Sequence, residues 1–458
     1  MTKKSNKAKQ PPQLLRGMKD ILPADQAAWL WLRQVVKDMA ESYGFKRLDT
    51  PIMEAESLFS RTIGESSDIV NKEMFTFTDR GGGKVSLRPE NTASFARAYI
   101  EHGFVNQPQP VKLYYFGPQF RYDRPQAGRY RQFFQFGFES FGDKNPVNDA
   151  QMIQLAHALL SYELKLPISL QVNSIGDKEC RPNYIKTLTE YYKSRKNALC
   201  ENCRERLPVN PLRLLDCKEK DCQELASGAP QIVDHLCEEC RDHFVLLLEY
   251  LDELEIGYEL NPRLVRGLDY YTKTVFEIWP ADDPNGSQSA LGGGGRYDDL
   301  IELLGGHSVP AVGFAVGAER IINQLAKVKI DPPAVPAPEV FLAQLGEKGR
   351  KRSLKLFEEM RRGGIRVMEC LSKESIKAQL EVANRLNCVF SLILGQKEIM
   401  DDTVLIRDME NGIQEVVDFT KVIPEIKKRL EKYRTKHVKL DNNVPADQEQ
   451  NKEEQKNE

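Results

Sequence analysis

Residues 111–142, VKLYYFGPQFRYDRPQAGRYRQFFQFGFESFG, constrain the fold more than any other stretch of this 458-residue chain. Val111 to Arg121 is rich in aromatic and β-branched side chains, which suit a pleated, buried surface, and it reads as a strand. Tyr122 to Tyr130 mixes turn formers with cations (Arg124, Pro125, Gly128, Arg129) and reads as a polar loop. Arg131 to Phe141 is the returning strand. Successive side chains on a strand point to opposite faces, so Gln132, Phe134, Phe136 and Phe138 share an apolar face that should pack on a core. Gln135, Gly137 and Glu139 share the other face, with Gln135 and Glu139 roughly 13 Å apart at ~3.3 Å per residue. Gly137 is expected to leave an open floor between them. An amide, a carboxylate, a bare glycine and an arginine-rich loop suit a small polar ligand lying on a sheet and held at both ends. An ordinary hairpin with one solvated face is the plainer alternative, and it does not account for all four features together.

Composition sets the limits around this hairpin. The length allows two to four domains, and 41% hydrophobic with 29% charged residues is ordinary for a water-soluble protein. No apolar run approaches the ~20 residues of a membrane span, and MTKKSNKAKQPPQ is basic with no apolar segment behind it, unlike a signal peptide. A cytoplasmic protein without membrane contact is expected. A net charge of −2 gives no general bias toward nucleic acid and argues against a DNA-coating protein, so any such partner must be held by local patches.

Taken in order, residues 1–14 are polar, basic and expected to be disordered. Asp25 is placed to cap a helix in which Ala28, Leu32, Val35, Val36, Met39 and Tyr43 recur at helical spacing before Gly44. A short strand, Phe45 to Thr50, ends at Pro51. A hairpin is expected from Glu65–Thr78 and Lys84–Arg88 around the turn Asp79–Gly83, and Arg88-Pro89-Glu90-Asn91-Thr92 opens a helix over Ala93–Glu101, with Asn91 or Thr92 available as its cap. Asp149–Leu164 reads as a helix and Ile168–Ile175 as a strand. Ile256–Asn261 and Thr274–Ile278 read as strands flanking RLVRGLDYY at residues 263–271. LGGGGRYD at 291–298 permits close backbone approach to a ligand, and AVGFAVGAER at 311–320 reads as a strand running into a helix. DPPAVPAP at 331–338 is a stiff linker. Beyond it, strands Glu339–Gln344, Ile365–Met368 and Cys388–Leu394 alternate with helices Arg350–Arg362 and Lys373–Leu386, for which parallel strands are expected. Residues 436–458 are charged, nearly free of large apolar groups and expected to be disordered.

The central hairpin resembles motif 2 of class II aminoacyl-tRNA synthetases, and FRYDRPQAGRYRQF is similar to the histidyl-tRNA synthetase version. The matches at Leu264–Tyr271, Gly294–Asp298 and Ala311–Arg320 extend the resemblance over most of the chain in the same order, and the first helix, strand and Pro51 resemble motif 1. The resemblance implies an α/β chain: an α+β catalytic core on an antiparallel sheet over residues 15–326, with an insertion at about 177–255. A linker at 327–338 and a small α/β anticodon-binding-type domain at 339–435 would follow. It implies a homodimer, ATP and histidine as substrates, Mg²⁺ on the ATP phosphates, and tRNA(His) as partner.

Residue roles follow from the same resemblance. Histidine would be held by Glu90, Asn91, Thr92, Arg121, Gln135, Glu139, Arg266, Tyr270, Tyr271 and Tyr297. Within that set Glu90, Thr92 and Gln135 are expected on the α-amino group, and Glu139 and Tyr271 on the two imidazole nitrogens. ATP would be held by Arg121, Asp123 and Arg320, with Arg121 on the α-phosphate and Arg320 on the γ-phosphate, since a planar guanidinium matches phosphate oxygens. Arg121 and Arg266 are the implied catalytic pair. Arg124, Gln126 and Arg129 would meet the tRNA acceptor end. Two departures stand out: Asn91 where the family often has glycine, and Asp123 where it usually has glutamate, which shortens the reach toward adenine. A regulatory subunit of ATP phosphoribosyltransferase and a non-catalytic tRNA-binding sensor share the fold in outline. Retention of Arg121, Arg266, Arg320 and a C-terminal domain favours the enzyme.

Seven of the nine cysteines lie between residues 176 and 256. Cys200-x-x-Cys203 and Cys237-x-x-Cys240 would suit a tetrahedral thiolate zinc site if the fold brought the two pairs together, with Cys217-x4-Cys222 between them. Disulfides are disfavoured in a reducing compartment. Free, partly buried thiols are the expectation adopted, with no metal.

Overall fold

An eight-stranded sheet carries the first two thirds of the protein, a computed structural model of which describes residues 11–64, 69–123, 129–283, 290–334 and 336–441. In chain order the strands to residue 317 are β1 (Lys46–Arg47), β2 (Met53–Ala55), β3 (Phe75–Thr78), β4 (Lys84–Leu87), β5 (Val111–Phe120), β6 (Gln132–Phe141), β7 (Ile168–Ser174), β8 (Glu259–Leu260), β9 (Thr272–Pro280), β10 (Gly292–Arg296) and β11 (Ala311–Gly317). The large sheet runs β1-β5-β6-β11-β10-β9-β7-β8; its inner pairs are antiparallel, and the short edge strands β1 and β8 pair parallel with β5 and β7. Strands β2, β4 and β3 form a separate small sheet.

Strand parity decides what each face of the large sheet holds. Phe136 and Phe138 are fully buried in an apolar layer with Phe314 and Phe276, and Phe134 packs edge-on against Trp29 at 5.2 Å. Helices Gln26–Ser42, Pro146–His157, Glu238–Glu253 and Ala318–Lys327 cover this layer with Leu32, Ile153, Leu247 and Ile321. The opposite face of β6 presents Phe133, Gln135 and Glu139 to the cleft described below. Gly137 does not leave an open floor. Its cross-strand partner is Tyr115, whose ring lies 2.6 Å from where a Gly137 Cβ would stand.

Several local expectations change in the folded chain. Asp25 closes a 3-10 turn, Pro23–Asp25, where its carboxylate accepts a hydrogen bond from Leu22 N at 3.4 Å and makes no cap to the helix that follows. The early hairpin begins only at Phe75, because residues 69–73 form a helical turn. The two Cys-x-x-Cys pairs do not meet each other: Cys200 and Cys203 gather with Cys217 and Cys222, while Cys237 and Cys240 gather with Asp177 and Cys180. Helix Glu238–Glu253, at the end of the expected insertion, packs Phe244, Leu247 and Leu251 onto the sheet's apolar layer.

Residues 334–458 separate from residues 1–333 as a second unit. Its strands are β12 (Val340–Gln344), β13 (Val367–Glu369), β14 (Phe390–Leu394), β15 (Thr403–Asp408) and β16 (Gln414–Asp418). The order is β13-β12-β14-β15-β16, parallel through the first three and antiparallel through the last two. The three strands expected here, β12, β13 and β14, pair in parallel; β15 and β16, not singled out in the sequence, add an antiparallel hairpin around an Asp408–Asn411 turn. The last helix runs Val422–Asp441, six residues into the stretch expected to be disordered. Val422, Ile426 and Leu430 anchor it on the core of this unit, and Arg429–Glu425 adds an ion pair one turn apart. Residues 1–10 and 442–458, the remainder of the expected disordered tails, lie outside the described residues.

Candidate active site

One cleft gathers most of the residues singled out by sequence. Glu90, Thr92, Arg121, Gln135, Glu139, Arg266, Tyr270, Tyr271, Tyr297 and Arg320 all line it. They come from β6 and the residue after β5, from the starts of the helices Thr92–Glu101 and Ala318–Lys327, and from the loops holding Arg266–Tyr271 and Tyr297. Register explains the meeting. On β6, Gln135 and Glu139 stand opposite Gly317 and Gly313 of β11, so their side chains overlie a neighbour with none of its own. A Cβ on Gly313 would lie 1.7 Å from Glu139 Oε2. The glycine therefore makes the space that the carboxylate fills.

The carboxylate end is dry. Glu139 is 1% exposed and accepts hydrogen bonds from Thr92 Oγ1 at 2.6 Å and from the Tyr297 hydroxyl. Burial pushes its carboxyl up to about 8, against the two hydrogen bonds, which favour the ionised form. Glu90 caps the helix Thr92–Glu101, accepting from Thr92 N at 2.5 Å and Ala93 N at 2.9 Å. Burial raises its carboxyl as well, opposed by those backbone donors. Asn91 holds the N-cap position, but its side chain makes no capping hydrogen bond, and Thr92 is the first helical residue. Asn91 lies under the site rather than in it, its Oδ1 accepting from Thr50 Oγ1 at 2.9 Å. Tyr270, Tyr271 and Tyr297 form an aromatic wall with ring centroids 4.8 to 6.3 Å apart.

The opposite end is cationic. Arg121 lies over the Phe133 ring at 4.2 Å, and its Nε donates to Tyr130 O at 3.2 Å. Arg320 donates to Ala290 O. Among the described residues neither guanidinium has an ion pair within 4.0 Å, and each is held below its ordinary range by burial first and by neighbouring arginines second. Arg121 is pushed down to about 10, with Arg129 and Arg320 as the charges responsible. Two half-buried guanidiniums lining one end of a cleft suit a ligand with anionic groups. Between the two ends, Arg266 Nη1 bonds Glu277 Oε1 at 2.5 Å, its guanidinium carbon 5.5 Å from the Tyr271 ring centre. Among the described residues Gln135 Oε1 is buried with no hydrogen-bond partner, which leaves an acceptor for a ligand donor.

Two predicted residues of the hairpin loop, Asp123 and Arg129, are not among those lining the cleft. Asp123 and Arg129 form an ion pair with each other, and Arg129 reaches Glu73 at 3.6 Å. Arg124 and Gln126 lie outside the described residues. Tyr115, Phe133, Glu277 and Glu319 line the cleft without having been singled out. Glu277 was visible in principle, since it has the opposite parity to the apolar residues Phe276 and Ile278 on β9. Glu319 adjoins Arg320 at the start of a helix; it accepts Phe134 N at 2.9 and 3.0 Å, and burial pushes its carboxyl up to about 7. The glycine-run signature hides a structural residue. Arg296 is fully buried and bonded to Asp149, Asp298 and the carbonyls of Asp143 and Asn145, on the core side of the sheet.

Comparison with known proteins agrees with this geometry. Residues 17–321 match the sequence model of histidyl-tRNA synthetase, and residues 339–429 match that of the anticodon binding domain. A histidine–tRNA ligase of Dehalococcoides mccartyi is 48% identical over 415 residues, 91% of this chain and 99% of its own length. The enzyme of that name from Desulforamulus reducens is 45% identical over 414 residues, 90% of this chain and 98% of its own. The crystal structure of apo histidyl-tRNA synthetase from S. aureus superposes with a TM-score of 0.75 at 34% identity, covering 91% of this chain and 99% of that one. With one sequence model spanning residues 17–321, a second spanning 339–429, and relatives 45–48% identical over almost their full lengths, the chain belongs to the histidyl-tRNA synthetase family.

Proposed function

We propose that this cleft joins histidine to ATP, giving histidyl-adenylate and pyrophosphate, and then passes the histidyl group to the 3′ end of tRNA(His). As a class II aminoacyl-tRNA synthetase the chain is a histidine–tRNA ligase with ATP as substrate; the proposal concerns which residues do the work. The observation that carries it is the polarity of the cleft, with the buried carboxyl of Glu139 at one end and, among the described residues, guanidiniums without an ion pair at the other.

Histidine would lie with its imidazole between Glu139 and Tyr271. Glu139 holds a proton at neutral pH in the empty cleft, and a ligand N–H or cation placed beside it draws it toward the ionised form. The α-ammonium group would take the free acceptor of Gln135 together with Glu90 and Thr92. A substrate lacking either ring nitrogen leaves a buried polar group unpaired, which gives strong discrimination.

The histidine carboxylate attacks the α-phosphorus, a new C–O–P bond forms, and the bond to the bridging oxygen of pyrophosphate breaks. Negative charge grows on the non-bridging α-phosphate oxygens and on the leaving group. Catalysis of such a step is positioning and charge stabilisation. Arg121 would hold the α-phosphate and Arg320 the γ-phosphate, while Arg266 neutralises charge on the opposite side of the reacting centre. Arg266 shares its guanidinium with Glu277, which fixes its direction before substrate arrives. Mg²⁺ would accompany the outer phosphates of ATP, where it screens their charge. Glu277 and Glu319 line the cleft beside Arg320 and offer the oxygen donors a hard cation takes. Asp123, Arg124, Gln126 and Arg129 of the hairpin loop would meet adenine or the acceptor end of tRNA. A homodimer in the cytoplasm, assembled through the first helix and strand, completes the reading.

Replacing Arg266 by Ala tests the assignment. Histidine-dependent adenylate formation should fall by about 10²–10³-fold, the scale of losing one preorganised donor to a transition state, with the thermal midpoint little changed. Unaltered adenylate formation would remove Arg266 from the mechanism.

A further inference from the structure

We propose that Cys200, Cys203, Cys217 and Cys222 form a structural zinc site that clamps the insert between β7 and β8. The four Sγ atoms all lie within 4.8 Å of one another. Cys200 Sγ and Cys217 Sγ are 3.8 Å apart, and no cysteine of the chain is in a disulfide. A tetrahedral ion with Zn–S bonds of about 2.3 Å requires S···S edges of about 3.8 Å; the Cys200–Cys217 pair has that spacing and every other pair lies within 4.8 Å. Four thiols in one place, three of them buried, are a poor hydrophobic filler and a good soft-metal cage.

Local structure supports thiolate sulfurs there. Cys200 stands just before the helix Glu201–Arg206 and Cys203 lies one turn inside it, the spacing by which a Cys-x-x-Cys knuckle turns two sulfurs inward. The backbone N–H of Cys200 points at Cys222 Sγ, 3.3 Å away, a contact that favours a charged sulfur acceptor. On coordination each thiol gives up its proton, and the site carries two negative charges around the ion.

The clamp has a consequence for the cleft. Between Cys203 and Cys217 the chain passes through Leu207, Asn210 and Arg213, which form a second cavity with Arg266, Leu268, Asp269 and Tyr271. Asn210 Nδ2 donates to Asp269 Oδ1 at 3.0 Å. Fixing both ends of this segment holds the back of the loop that carries Arg266. The Asp177, Cys180, Cys237 and Cys240 group differs in that its carboxylate is already committed, Asp177 Oδ1 accepting from Glu179 N at 2.9 Å and Cys180 N at 3.3 Å. It serves as an internal comparison.

The test is to titrate zinc-stripped, full-length protein with Co²⁺ and to map thiol alkylation by mass spectrometry with and without Zn²⁺. The proposal predicts the visible absorption of tetrahedral thiolate cobalt, displaced by zinc. It also predicts protection of Cys200, Cys203, Cys217 and Cys222 as a set, with Cys370 alkylated equally in both states. Cys217→Ser should lower the zinc content by one ion per chain while Cys370→Ser leaves it unchanged. The alkylation map on the unaltered protein stands even if Cys217→Ser misfolds. Equal alkylation of the four cysteines with and without zinc would overturn the proposal. So would a cobalt signal whose protection falls on Cys180, Cys237 and Cys240 instead.

Discussion

Glu139 has almost no solvent to share its charge with, and that single fact links binding, stability and pH. Its carboxyl sits near 8 in the folded protein against an ordinary 4.5. Between those values the unfolded chain has released a proton that the folded chain keeps, so stability falls as pH rises from about 5 to about 8 and levels off above. Glu139→Gln keeps the shape and removes the titration. The thermal midpoint of the unaltered protein, measured against that variant, should therefore decline across this window; a flat difference would mean that Glu139 ionises freely. Arg296 makes the opposite case. Burial alone would raise the Asp149 carboxyl, yet the Arg296 charge holds it down to about 2, with His243 assisting. Arg296→Met would leave that carboxylate buried without its partner and should cost about 3–5 kcal/mol in denaturant unfolding. A loss below about 1 kcal/mol, the scale of a solvated surface pair, would mean the pair is exchanged for water.

At the level of elements, the cleft depends on strands that lie side by side without filling the space between them. Gly313 is the sharpest case, since a methyl group there would stand where Glu139 Oε2 does. Gly313→Ala should displace the carboxylate and weaken histidine binding at least tenfold by calorimetry, while ATP binding through Arg121 and Arg320 persists; intact histidine affinity would contradict the geometry. The parity of Phe134, Phe136 and Phe138 against Gln135 and Glu139 was legible in sequence because alternation is a local property of a strand. What alternation cannot show is the neighbour across the register. Tyr115 over Gly137 depends on how β5 pairs with β6, and the Arg296–Asp149 pair joins residues 147 positions apart. The same limit applies to the cysteines. Spacing marks Cys200-x-x-Cys203 as a candidate pair, but only the fold couples it to Cys217 and Cys222 rather than to Cys237 and Cys240. In the second unit the alternation of strands and helices was clear, whereas the β15–β16 hairpin went unread although its turn carries Asn411-Gly412, with Gly412 at φ +77°.

Across the whole molecule, the sheet of residues 1–333 and the unit of residues 334–458 bury separate cores. The chemistry assigned to the cleft lies wholly in the first. A chain ending at Pro333 should keep histidine-dependent pyrophosphate exchange within a few-fold and lose most of its ability to charge tRNA; equal loss of both would mean that the second unit is needed to assemble the cleft. Both readouts depend on the central claim, that this cleft recognises histidine and activates it on ATP. The most direct measurement is pyrophosphate exchange into ATP with each of the twenty amino acids offered separately to the full-length protein. Exchange with histidine alone is the predicted result. Exchange with another amino acid, or none with histidine while histidine still binds, would contradict it.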